Sequence, residues 1–125
     1  MTHKLLVIDD EETIVFGLKR YFQHEGYDVD VAQELEEAEA LLTTFQYEVV
    51  LVDLALRDGS GTEGLELVRF ARRANPAALI VMLTGHASSD LRWEAFHRGI
   101  DAFVEKPTEL EHLEQILEDL MAGPQ

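Results

Sequence analysis

The stretch VVLVDLALRDGSG, residues 49–61, decides the reading of this chain. Four apolar residues, Val49 to Val52, run directly into Asp53. A short, continuous apolar run is the mark of a strand buried on both faces. A carboxylate at the end of such a strand is costly unless it has a partner or a task. The connection that follows, Leu54 to Gly64, is 11 residues long, where about 2–6 is usual between strand and helix. A long loop directly after an expensive acid points to function.

Working outward, short apolar runs alternate with segments of helical period. KLLVI (4–8) reads as a buried strand and is followed by a helix with Ile14, Leu18, Tyr21, Phe22 and Glu25 in step. Gly26 stands where a left-handed helix cap is expected. DVDVA (28–32) alternates and reads as a more exposed strand. A second helix carries Leu35, Ala38, Leu41, Leu42 and Phe45, and a third runs from about Gly64 to Arg73, stopping at Asn75-Pro76. LIVML (79–83) and AFVE (102–105) are further strands, separated by a helix over Ser89–Arg98 that Gly99 closes. Leu110, Leu113, Ile116, Leu117 and Leu120 stripe the last helix. Five strand–helix units of this kind predict an α/β fold, a doubly wound parallel sheet covered by helices on both faces, in one domain over residues 1–125.

Composition narrows the function. The chain carries 25 acidic side chains against 10 Lys and Arg, a formal charge of -15. That field repels phosphate backbones and anionic lipid, so no direct nucleic-acid or membrane binding is expected. There is no cysteine, which excludes disulfides and zinc–thiolate sites. No apolar run approaches the roughly 20 residues of a membrane span, and the N-terminus lacks a signal-peptide pattern. A cytoplasmic protein is expected.

In open parallel sheets, ligands bind beyond the carboxyl ends of the strands. The first strand ends in Asp9 and Asp10, the third in Asp53, the fourth in Thr84 and the fifth in Lys106-Pro107. Every one of these polar residues falls at the same edge. Three converging carboxylates repel one another, and a divalent cation relieves that repulsion. Mg²⁺ (or Mn²⁺) suits hard oxygen ligands and binds through one or two carboxylates together with a phosphate. A carboxylate beside such an ion, an ammonium and a hydroxyl can attack phosphorus. Asp53 is therefore read as a phosphoacceptor, with Thr84 and Lys106 stabilising the phosphoryl oxygens.

VIDD (7–10), LVD (51–53), MLTGH (82–86) and FVEKP (103–107) together resemble the receiver domain of two-component response regulators, over nearly the whole chain. The resemblance implies a flavodoxin-like (βα)5 sheet in order 2-1-3-4-5 and a cis Lys106-Pro107 bond. It implies that Asp10 and Asp53 bind the metal, with the Ala55 carbonyl as a further ligand and Asp9 acting mainly through water. It makes Phe103 a switch residue that turns inward when Thr84 moves to the phosphoryl group. The phosphoryl donor would be a sensor histidine kinase or a phosphotransfer protein in a phosphorelay. A downstream effector would read the face formed by helix 4, strand 5 and helix 5, around Trp93, Phe103 and Leu113. The domain would catalyse its own phosphorylation and dephosphorylation without being an enzyme. Departures from the family pattern are Arg57 in place of a proline, and the insertion Thr62-Glu63-Gly64. Ala55 has no polar side chain to position a hydrolytic water, whereas His86 has one.

Other readings compete. Trp93 reads more readily as a packing residue than as a recognition anchor, and His86 as a plain loop residue. A haloacid-dehalogenase-like phosphatase also uses Asp, Thr, Lys and Mg²⁺, but it needs a second acid at the position of Ala55. A flavin-binding module of similar topology needs bare amides after the first strand, where this chain has DDEET (9–13). A degenerate receiver that only binds proteins would not need the full set of site residues.

Overall fold

The computed structural model describes residues 2–53, 62–85, 88–106 and 109–123. Its elements alternate strictly: β1 (Lys4–Ile8), α1 (Glu12–His24), β2 (Asp28–Ala32), α2 (Leu35–Thr44), β3 (Val49–Asp53), α3 (Thr62–Ala74), β4 (Leu79–Thr84), α4 (Ser89–Arg98), β5 (Ala102–Glu105) and α5 (Leu110–Ala122). The strands form one parallel sheet in the order β2-β1-β3-β4-β5, as the resemblance implies. β3 is central and buried at every position, which explains its unbroken apolar run. β2 is an edge strand with an exposed first residue, and its alternating sequence follows from that place.

Side chains alternate across a strand, so the sheet divides the interior into two cores. Leu6, Ile8, Val50, Val52, Ile80 and Met82 pack under α2, α3 and α4. Leu5, Val7, Val49, Leu51, Val81, Leu83 and Val104 pack under α1 and α5. Leu113 and Leu117 of α5 are fully buried in the second core. Leu113 therefore does not belong to an outer reading surface, contrary to expectation, because the apolar stripe of α5 is turned onto the sheet.

The third helix begins at Thr62 and not at about Gly64. Glycine is a poor helix former and suggests a boundary. Here Gly64 lies buried inside the first turn. Ala55, Arg57, His86 and Pro107 lie outside the described residues, and with them the carbonyl ligand, the loop departures and the cis bond.

Two polar clamps join the corners of the fold. Asn75, fully buried after α3, accepts from the Tyr47 N–H at 2.6 Å and donates to the Leu42 carbonyl at 3.1 Å. Arg72 donates to the carbonyls of Gly99, Pro76 and Ala78 and to the Asp101 carboxylate. Gly99 caps α4 at φ 117°, and a Cβ there would meet Arg72 Cγ at 3.0 Å. The clamp thus requires glycine both for its left-handed backbone and for space.

Asn75→Ala leaves the Tyr47 N–H and the Leu42 carbonyl buried without partners. The expected loss is about 2–4 kcal/mol of unfolding free energy, measured by urea denaturation; a loss below about 0.5 kcal/mol would contradict this account of the corner.

Candidate functional site

Strand register assembles the site. Ile8 pairs with Val52, so the next residue of each strand, Asp9 and Asp53, leaves the sheet side by side. Asp53 itself pairs with Leu83, and Thr84 pairs with Glu105. The Lys106 N–H donates to the Thr84 carbonyl at 2.7 Å, bringing the end of β5 to the same edge. By strand alternation Asp9, Asp53 and Lys106 continue the parity of Val7, Leu51 and Val104, on the α1–α5 side of the sheet. Thr84 continues the parity of Met82, on the other side.

Asp9, Asp53 and Thr84 are buried, at 2%, 1% and 4% exposure. Lys106 Nζ donates to Asp53 Oδ2 and lies 3.7 Å from Asp9 Oδ2. The Glu11 N–H donates to Asp9 Oδ1 at 2.9 Å. Burial, followed by the Asp53 carboxylate beside it, pushes Asp9 up to about 7, against the opposing pull of the Glu11 amide and Lys106. Two buried carboxylates with one ammonium between them hold a surplus of negative charge, and the proton on Asp9 is the cheapest remedy.

Asp10 is only half-buried beyond β1, and among the described residues no three acid or imidazole groups form a ready cation cage. Asp9 and Asp53 share the Lys106 ammonium. Asp9 is the acid at Lys106, although the resemblance gives Asp10 the direct metal role. The carboxylates of Asp9 and Asp53 nevertheless fit a hard divalent cation. Asp9 Oδ2 is buried and accepts no hydrogen bond, and carboxylate oxygens are the donors such an ion prefers.

Phe103 lies on the α4 side, half-buried against the first core. The Arg92 guanidinium carbon stands 5.0 Å from its ring centroid. Arg92 was not among the residues that spacing singled out, because nothing in a helical pattern marks which polar residue crosses to a strand. Trp93 is 59% exposed and stacks on His97 at 3.7 Å between centroids. The expectation that Trp93 packs into the fold is corrected: on α4 it lies about 200° around the helix from buried Ala95. Beside Lys106, a cleft of about 390 Å³ opens between α1 and α5, walled by Ile14, Gly17, Leu18, Leu83 and Leu110.

Residues 5–118 match the family model for the response regulator receiver domain. The chain belongs to that family. As a receiver it is the phosphorylation-dependent switch module of a two-component response regulator. Receivers generally bind a divalent metal at the phosphorylation site, and response regulators work with sensor kinases and downstream effectors. The receiver is 31% identical over 118 residues to the nitrogen assimilation regulatory protein NtrX of Azorhizobium caulinodans, covering 94% of this chain and 26% of that one. It is 36% identical over 104 residues to the transcriptional regulatory protein ResD of Bacillus subtilis, covering 83% and 42%. The chain thus spans less than half the length of these relatives. Among solved structures, a CheY-like receiver from Methanospirillum hungatei superposes with a TM-score of 0.89 at 26% identity, covering 98% of this chain and 95% of that one. A response regulator from Burkholderia pseudomallei, with a phosphorylated aspartic acid, calcium ion and citrate, superposes with a TM-score of 0.82 at 31% identity, covering 98% and 75%. Among the described residues no helix is long and apolar enough to cross a membrane.

The raised pKa of Asp9 makes the stability of the metal-free receiver pH-dependent. An unfolded Asp titrates near its ordinary value of 3.8 and the folded one near 7, so the folded chain binds this proton more tightly. Stability is full below about pH 4 and falls as pH rises through 7. Asp9→Asn should remove that slope and raise the midpoint at pH 7.5 in EDTA by roughly 5–10 °C. Equal melting of parent and variant at pH 5 and 7.5 would count against the buried proton.

Proposed function

We propose that Asp53 accepts a phosphoryl group from a sensor histidine kinase or a phosphotransfer protein, in a reaction that depends on Mg²⁺ (or Mn²⁺). The observation that supports this reading most is the buried Asp53 carboxylate held by Lys106, with Asp9 against the same ammonium. A carboxylate oxygen of Asp53 attacks phosphorus as the phosphorus–nitrogen bond of the donor phosphohistidine breaks. The bonding pair of that bond leaves with the imidazole. The Asp53 side chain passes from one negative charge to about two at neutral pH, in a chain already at -15.

Two side chains and a bound cation meet that charge. Lys106 keeps its ammonium at the site, and the Thr84 hydroxyl at the same sheet edge supplies a hydrogen bond. Asp9 and Asp53, joined by half-buried Asp10, would hold the cation. When bound, the cation neutralises phosphoryl oxygens as charge develops and lets both acids ionise. The chain is its own substrate in this scheme, and in the same scheme catalyses its dephosphorylation, so it is not an enzyme acting on a separate molecule. The apolar cleft between α1 and α5 is the route by which a donor protein reaches Asp53.

The response leaves on the other side of the sheet. Thr84 moves toward the phosphoryl group, and Phe103 turns into the space this opens. Trp93 and Phe96 of α4 are both exposed, and the face of α4, β5 and the outer side of α5 is where a downstream effector reads the change. The charge of the chain favours a protein partner over nucleic acid or anionic membrane, and the composition fits a cytoplasmic protein.

Acetyl phosphate with Mg²⁺ should add one hydroxylamine-sensitive phosphoryl group to the parent, mapped by mass spectrometry to Asp53. Asp53→Asn should abolish the labelling; labelling undiminished in that variant would refute the assignment. Lys106→Ala should still bind Mg²⁺ but lose the change in Trp93 fluorescence on phosphorylation. An unaltered change would remove Lys106 from the coupling.

A further inference from the structure

Arg92 stands on the flank of α4 that faces β5. Its guanidinium covers the Phe103 ring at 5.0 Å, and its Nη2 donates to Glu105 Oε1. Phe103 and Glu105 are two residues apart on one strand and so share a face. Val104, between them, belongs to the opposite core. Glu105 is the ladder partner of Thr84, and the adjoining Lys106 N–H holds the Thr84 carbonyl. One side chain therefore grips both the aromatic residue and the strand step next to the site hydroxyl.

We propose that Arg92 is a brake on the switch: a positioning residue that holds Phe103 in its outward place and favours the unphosphorylated arrangement. The inference rests on the reading of Thr84 and Phe103 as the moving pair. Turning Phe103 inward takes its ring from under the guanidinium, which then gives up the aromatic face and returns to water. Arg92 and Glu105 side chains are 42% and 57% exposed, so neither contact is strong alone. Weakness is what this role requires. A contact that biases two states about threefold to tenfold sets the resting level without preventing the change. No other described cation is placed over Phe103, and removal of this one has no ready substitute.

The test uses beryllofluoride with Mg²⁺, a phosphoryl mimic, titrated into the chain with Trp93, the single tryptophan, as reporter. When only a fraction of molecules is competent to bind, apparent affinity falls by that fraction. Arg92→Ala should therefore lower the half-saturating concentration about threefold to tenfold. Glu105→Gln should lower it by a smaller factor, and Arg92→Lys, which keeps a cation, should stay near the parent. Melting temperatures verify that each variant is folded, and Glu105→Gln keeps the test open if Arg92→Ala is not. Parent-like or weaker binding by both Arg92→Ala and Glu105→Gln overturns the brake and leaves the Asp53 reading intact. Failure of the parent to bind, or equal binding by Asp53→Asn, overturns both.

Discussion

The arrangement depends on placing two carboxylates, Asp9 and Asp53, in the dry carboxyl edge of a parallel sheet beside one ammonium. Buried ions seldom improve stability over apolar residues of the same shape. Here they occupy the ends of the two central strands, where apolar side chains would cost nothing. Such an expense is understandable at a site whose charge is meant to change. Lys106 compensates the surplus at rest, and burial beside Asp53 draws Asp9 toward its neutral form.

The sheet order turns this into a site. β1 and β3 are neighbours at the centre, so the acids at their ends meet although 43 residues of chain lie between the two positions. β5 lies two strands from β3 in the same sheet, and only the length of a lysine side chain carries the ammonium back to Asp53. A shorter cation could not span that distance. The hydroxyl of Thr84 comes from the strand between them. Asp53 and Thr84 stand in the parallel ladder, and Asp9 and Lys106 follow directly on it, each held by its own backbone hydrogen bond, which fixes the approach of every side chain.

The sequence discloses some of these features readily and others not at all. The run Val49–Val52 marks a central buried strand because parallel strands covered on both faces admit no polar alternation. The polar strand ends Asp9, Asp53, Thr84 and Lys106 reveal one edge, since chain direction alone aligns them. Helical periodicity also identified the buried stripe of α5, but it did not say that Leu113 points at the sheet core and away from a partner. Trp93 misleads for a related reason: its size suggests burial, yet its angular place on α4 exposes it. Which of Asp9 and Asp10 meets Lys106 depends on strand parity at the last pleat, a matter of one residue that composition does not convey. Arg72, Asn75 and Arg92 form contacts between elements distant in sequence, and such contacts leave no local pattern.

The Arg72 clamp has a mechanical consequence. It ties the Gly99 carbonyl at the far end of α4 to α3 and to the start of β4, and its grip on Asp101 adds the approach to β5. The near end of α4 follows the Thr84 edge, where Arg92 holds it to β5 by exposed and weaker contacts. A helix of ten residues is a stiff rod about 15 Å long. Fastened more firmly at one end than at the other, such a rod pivots where another would slide. A small displacement beside the sheet edge is then felt along its whole flank in proportion to distance from the pivot, and Trp93, midway along, travels further than His97.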